Sequence, residues 1–188
     1  MRRSTSLFQD LAEDLRFGVS EDGGSLLGRA LTNRGFHALA IYRVSHRLRR
    51  TPLSPLGLLL TRLCQILYAI DIDPRARIAG GVIIYHGVGL VIGAGVVIKP
   101  RVVLFHGVTL GIKRAGRRDG FPRIQSHVVI GSGAKLFGPL VVGEHAVIGA
   151  NCVISHDVPP HTLVKPAAVE FVSLLPKMMR PEPQTLLS

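Results

Sequence analysis

Apolar positions along this chain follow one spacing up to residue 70 and another after it. Between residues 24 and 70 they recur at helical intervals: Leu26, Leu27, Ala30 and Leu31, then Leu39, Ile41, Tyr42, Val44 and Leu48, with polar residues between them. Pro52 and Pro55 interrupt the run, and a second helix fits residues 56–70. Residues 1–23 are polar and acidic and end in glycine, which suits a short helix or no fixed structure.

After Asp71 the spacing becomes six. Ile72, Ile78 and Ile84 form one series; Ile92, Ile98, Leu104 and Leu110 a second; Ile124, Ile130, Leu136, Val142, Ile148 and Ile154 a third. A small or branched residue stands two positions before many of these, as at Ala76, Val96, Val102, Val128, Ala134, Ala146 and Cys152, and glycine often follows. A plain strand repeats every two residues and a helix every 3.6, so neither yields six. Short strands joined by tight corners do. Three hexapeptides make one triangular coil, the aliphatics stack inside, and glycine or small polar residues take the corners. The pattern predicts a mainly β fold: a parallel β-helix of hexapeptide repeats over residues 71–166, preceded by a short N-terminal α-helical region (1–70) and followed by a C-terminal tail (167–188).

The period breaks twice. Ile84 and Ile92 are eight apart, so two extra residues lie within YHGVGLV; Leu110 and Ile124 are fourteen apart, so GIKRAGRRDGFPR partly leaves the coil. Interruptions of a rigid scaffold are natural places for function. Two stretches also nearly copy each other, IIYHGVGLVIG and VLFHGVTLGIK. Their histidines, His86 and His106, each lie two past an aliphatic rung and one full coil apart. They meet on adjacent coils if the two extra residues bulge after His86.

Composition narrows the class. The chain has 188 residues, 47% apolar but only 5% aromatic, and 21 glycines, which fits a narrow, regular core. Cys64 and Cys152 belong to no metal-binding spacing and read as buried apolar residues in a reducing, cytoplasmic setting. No secretory leader is visible at the N-terminus, and LGLLLTRLCQILYAI, interrupted by Arg62, falls short of the ~20 residues of a membrane span. The net charge of +11 concentrates in RVSHRLRR and KRAGRR. No recognition helix or aromatic platform accompanies them, so nucleic acid is not the expected partner; membrane-surface contact through the basic N-terminal helices is compatible with the charge.

The string DIDPRARIAGGVIIYHGVGLVIG, followed in order by VTLG, DGFPRI, IGSGAKLFGPLVVGEHAVIGANCVI and VPPHT, resembles the serine O-acetyltransferase family of hexapeptide-repeat acyltransferases. The likeness covers residues 71–162 and runs without a gap through Ile154. It implies a left-handed coil, acetyl-CoA as co-substrate, no metal and a homotrimer. It also implies that His86 is the general base and that Asp71, fifteen residues earlier, orients it. A hydroxyl is a poor nucleophile until a base takes its proton, and an imidazole steadied by a carboxylate does this near neutral pH. His106 stands as a pocket wall. Coenzyme A contacts carried over from the family fall on Gly111, Ser132 and Ala150, and Lys113 and Arg114 either meet its phosphates or are simply solvated. His127 and His145, one coil apart, read as corner residues, and they match no metal-site pattern.

The likeness fails where the family holds serine, by an aspartate just before the base and an Arg-His pair before the loop proline. Tyr85 and Gly120-Phe121 stand there instead. A serine carboxylate and ammonium would lose their partners. Together with a helical region shorter than in serine acetyltransferases, this resembles the exopolysaccharide and capsule O-acetyltransferase branch, with a sugar hydroxyl as acceptor against Tyr85, His106, Gly120 and Phe121. Serine O-acetyltransferase is the alternative, and a non-catalytic β-helix scaffold the third reading.

Overall fold

The computed structural model describes residues 6–113 and 120–168. The tail from residue 169 on, and Arg114, Arg117 and Arg118, lie outside the described residues. Four helices come first: α1 (Leu7–Asp22), α2 (Leu26–Thr32), α3 (Arg34–Leu48) and α4 (Ser54–Tyr68). Residues 1–23, left open between helix and no fixed structure, therefore contain a helix, begun by a reciprocal capping box between Ser6 and Gln9. The helical run expected over residues 24–50 is split at Asn33. Its backbone is extended while its side chain accepts the Phe36 N–H at 2.8 Å, so one residue ends α2 and starts α3.

The chain then winds into a left-handed parallel β-helix with three faces. Face A stacks β1 (Asp71–Ile72), β4 (Val91–Ile92), β7 (Thr109–Gly111), β10 (Lys135–Phe137) and β13 (Val153–Ile154). Face B stacks β2 (Arg77–Ile78), β5 (Val97–Ile98), β8 (Arg123–Ile124) and β11 (Val141–Val142). Face C stacks β3 (Val82–Tyr85), β6 (Val102–Phe105), β9 (Val129–Ile130), β12 (Val147–Ile148) and β14 (Leu163–Val164). Register assigns every period-six residue to one of three inner ladders. Ile72, Ile92, Leu110, Leu136 and Ile154 pair on face A; Ile78, Ile98, Ile124 and Val142 on face B; Ile84, Leu104, Ile130, Ile148 and Val164 on face C. Cys152 is buried among the small residues lining the interior, and both cysteines are unpaired.

Two corners carry columns of left-handed backbone. Gly89, Gly107, Gly133 and Asn151 turn from face C to face A, and Gly81, Arg101, His127, His145 and His161 turn from face B to face C. Histidine and asparagine tolerate positive φ better than most side chains, which is one reason they stand at these corners.

The helices form a cap on the first coil. On the outer surface of face C, Phe17 of α1 packs against Ile83 and Val103, with Tyr85, Phe105 and Val129 at the margin. Arg43, in a cluster that reads as surface charge in the sequence, is buried. Its Nε and Nη2 donate to the Asp14 carboxylate at 2.7 and 2.8 Å, and its guanidinium also donates to the Ile78 and Ala79 carbonyls. Asp14 in turn accepts the Val82 N–H at 3.1 Å, so one ion pair ties α1, α3 and the first coil together. Tyr42 donates its hydroxyl proton to the Ala76 carbonyl at 2.8 Å and accepts from the Ile78 N–H; burial pushes its pKa up to about 12. Gly35 permits this close approach, since a Cβ there would lie 2.0 Å from the Ile84 carbonyl oxygen. The opposite face of α4 leaves Leu56, Leu59, Leu63, Ile66 and Leu67 exposed, and no helix among the described residues is long and apolar enough to cross a membrane.

Candidate active site

The corner between faces C and A gathers most of the residues singled out in the sequence. Tyr85 pairs with Phe105 in register, and Gly89 lies against Gly107, so the two extra residues of the first coil are Gly87 and Val88. The bulge therefore follows His86. Its backbone closes on itself: Val88 N–H donates to the His86 carbonyl and Leu90 N–H to the Gly87 carbonyl, both at 2.9 Å. His86 adopts φ 62° and is exposed at the rim of the bulge. His106 lies directly beneath it, ring centroids 6.0 Å apart and nearly perpendicular.

The same position recurs on the next two coils as Ser132 and Ala150. Gly133 N–H donates to the His106 carbonyl and Asn151 N–H to the Ser132 carbonyl, so the strand of positions His86, His106, Ser132 and Ala150 runs down one edge. The side chains shrink along it, from two imidazoles to a hydroxymethyl and a methyl. Coils are tightly spaced there: a Cβ on Gly131 would lie 2.8 Å from the Ala150 nitrogen. Backbone polar groups and small side chains leave a narrow shelf along this edge. Gly111 is on face A, paired with Phe137, one strand away from this edge.

Asp71 opens face A beside Val91, half-buried, with its N–H donating to the Leu90 carbonyl just past the bulge. Asp71 and His86 thus flank the same bulge, but their side chains are not hydrogen-bonded to each other in this structure. Cys64 of α4 lies within the field of Asp71; burial first, and that charge second, push its thiol up to about 11. It is an inert packing residue.

The residues expected around an acceptor are more dispersed. Tyr85 points to the outer side of face C, stacks on Phe105 at 5.1 Å, and donates its hydroxyl proton to Asp22, which also pairs with Arg29. It helps fasten the end of α1 next to His86. Phe121 packs over Gly93 and Gly95, where its ring occupies the space a Cβ would need, and Gly120 packs against Pro139. Both are at the corner between faces A and B, across face A from His86. Within one chain they do not share a pocket with the two histidines. Lys113 is exposed beside Gly138, where the excursion leaves the coil; Arg114 is outside the described residues.

One nearby cation was not read from the sequence. Lys135, an outward residue of β10, reaches up to donate from Nζ to the Gly107 carbonyl at 2.5 Å and to Thr109 Oγ1 at 3.1 Å. Its position one residue before the Leu136 rung marks it as outward-facing; the reach back toward the histidine edge carries no sequence signal. At the other histidine corner, His127, His145 and His161 stack nearly parallel, centroids 4.6 and 5.0 Å apart. Ligand atoms of His127, Glu144 and His145 come within 4.8 Å of one another. Parallel rings aim their nitrogen lone pairs side by side and not at one point, so the stack as it stands is a corner ladder.

Comparison with known proteins supports the likeness to the serine acetyltransferases, and not the exopolysaccharide and capsule branch expected from Tyr85 and Gly120-Phe121. No family model matches the chain. The serine acetyltransferase of Synechococcus elongatus is 37% identical over 157 residues, covering 81% of this chain and 64% of that protein. Serine acetyltransferase of Neisseria gonorrhoeae, solved in complex with serine, superposes with a TM-score of 0.80 at 31% identity, over 87% of this chain and 68% of that one. The Brucella abortus enzyme, solved in complex with coenzyme A, gives 0.79 at 31%, over 86% and 66%. The chain spans about half to two thirds of the length of the curated relatives it matches. At this level of identity, coverage and superposition, the chain belongs to the serine acetyltransferase family of hexapeptide-repeat acyltransferases.

Proposed function

We propose that this protein is an acetyl-CoA-dependent O-acetyltransferase in which His86 is the general base. The observation that carries the reading is the single column His86, His106, Ser132 and Ala150 along the edge between faces C and A. A thioester laid on the Ser132–Ala150 shelf would bring its acetyl end to the two imidazoles. His86 takes the proton of the acceptor hydroxyl as its oxygen attacks the thioester carbonyl. The tetrahedral intermediate then collapses with loss of the C–S bond, and the protonated imidazole returns the proton to the departing thiolate. Asp71, at the same bulge, is the carboxylate proposed to support the imidazolium. Among the described residues, Lys135 and Lys113 are cations near this edge that would meet the coenzyme's phosphates. Because Gly120 and Phe121 lie across face A from His86, they reach an acceptor only from a neighbouring copy, which is how a homotrimer would complete the site.

The names of the relatives favour serine as the acceptor, and the Neisseria enzyme holds serine. This serine O-acetyltransferase reading is therefore the first to test. A second reading is favoured by the residues themselves. Tyr85 spends its hydroxyl on Asp22, and Gly120-Phe121 offers no cation, so no fixed charge faces an amino acid's carboxylate from these positions. A neutral hydroxyl, such as that of a sugar in a glycan precursor, suits them better. Thiol release from acetyl-CoA, measured with serine, homoserine and sugar acceptors in parallel, separates the two. Turnover with serine at least ~100-fold above sugars, a difference of ~2.7 kcal/mol, establishes the first reading, and the reverse order establishes the second. Failure of every acceptor, together with no hydrolysis, would leave the scaffold reading standing.

A further inference from the structure

A pocket of about 380 Å³ lies where the helical cap meets the first coil, at the corner between faces A and B and away from the histidine edge. Ser45 and Arg49 line it from the end of α3, Ser54 and Leu58 from the first turn of α4, and Asp73 and Arg75 from the corner after β1. Two polar atoms here are buried with no hydrogen-bond partner, Ser45 Oγ and Arg49 Nε, and Ser45 is 0% exposed. Each such orphan is costly to bury, and native structures seldom leave two in one place without a ligand or solvent to satisfy them.

The sign of the missing partner follows from the charges. Asp73 is already neutralised: its carboxylate accepts from Arg75 Nε at 3.0 Å, Nη2 at 2.7 Å and the Arg75 backbone N–H at 2.8 Å. Burial would raise its pKa, but Arg75, with a smaller contribution from Arg49, holds the carboxyl below the usual carboxylate range. Arg49 acts on the same carboxylate through space while its Nε has no hydrogen-bond partner, so two guanidinium groups face one carboxylate and the corner carries a net positive charge. The N-terminus of α4 adds the positive end of its dipole but no free N–H: those of Ser54, Leu56 and Gly57 donate to the Thr51 and Leu53 carbonyls, and residue 55 is proline. An anion matches that charge, and the volume exceeds what a bare ion needs, with Leu58 and Pro74 supplying an apolar wall.

We propose that this pocket binds a small molecule carrying a phosphate-class oxyanion, held by Arg49 and Ser45 at the start of α4, with its apolar part against Leu58 and Pro74. The site is independent of the acetyl-transfer chemistry proposed above. Because it bridges α3, α4 and the first coil, a bound ligand would stiffen the attachment of the cap.

The test is calorimetric titration and thermal unfolding of the full chain with phenyl phosphate, with inorganic phosphate and phosphatidic acid vesicles as parallel arms. Phenyl phosphate should raise the thermal midpoint and bind more tightly than inorganic phosphate. Arg49→Gln should weaken it by ~10-fold or more, and Ser45→Ala by a few-fold, as expected for loss of a charge-assisted and a neutral hydrogen bond. Basal thiol release should be unchanged in both variants, since neither touches the histidine edge. Equal affinity in wild type and Arg49→Gln, or no response to phenyl phosphate at ~10 mM, a free energy of ~2.7 kcal/mol, overturns the proposal. Binding to vesicles alone overturns it too, in favour of a lipid headgroup. If Arg49→Gln does not fold, Ser45→Ala decides by the same comparison.

Discussion

His86→Asn is expected to lose at least ~100-fold in kcat for acetyl transfer, and as much as ~10⁴-fold, the range that a positioned general base contributes. Asparagine is the informative replacement. His86 sits at φ 62°, a backbone conformation that alanine resists and asparagine accepts, so the bulge survives while the base is gone. Thiol-release kinetics at saturating acetyl-CoA, with the thermal midpoint as a control, report both. The companion variant His106→Asn should cost far less, and chiefly in KM for the acceptor, because His106 lies beneath the base as a wall. If His86→Asn kept wild-type turnover, or if His106→Asn were the more damaging change, the base assignment would be wrong.

Arg43→Met should lower the free energy of unfolding by about 3–5 kcal/mol, a large part of the 5–15 kcal/mol typical of a whole domain. The change leaves the Asp14 carboxylate buried against the Val82 N–H with no counter-charge, and it strips the Ile78 and Ala79 carbonyls of their donor. Asp14→Leu with Arg43→Met removes both charges of this pair, leaves Asp10 to Arg47 at 3.2 Å, and should recover much of that loss, since a buried ion pair is often no better than a well-packed apolar pair. Chemical denaturation of the two single variants and the double variant measures this coupling. A loss under about 1 kcal/mol in Arg43→Met would mean that the cap is held by its apolar contacts instead, and that the ion pair is dispensable.

The β-helix was legible because each inward residue meets the same environment one coil later. Ile72 to Ile154 therefore spell the three ladders directly, and the eight-residue gap after Ile84 located the bulge to within the residues where it is found. The period-six series ends at Ile154, although the coil is expected to residue 166 and does continue. Val158 bridges to Val142 and Val164 completes face C, but Val158 follows Ile154 by four, and the Asp157 carboxylate accepting the Val141 N–H makes up the difference. The cap was harder. Helical periodicity cannot show that Asn33 caps in both directions, or that one arginine of RVSHRLRR turns inward, because both depend on a carboxylate or a strand brought close only by folding. The site divides the same way. His86, His106, Ser132 and Ala150 share a register and could be placed on one edge by counting. Tyr85, Gly120 and Phe121 were grouped by the family resemblance, and the fold spreads them over two corners, because alternation turns Tyr85 outward under α1 and the excursion returns Phe121 to the far side of face A.

The edge between faces C and A is the centre of the account, and a crystal structure with coenzyme A bound tests it most directly. The pantetheine should run along Ser132 and Ala150 with its sulfur near His86 and His106, and the neighbouring copy's Phe121 should approach the same site. Coenzyme A bound at another corner, with the His86 column empty, would contradict it.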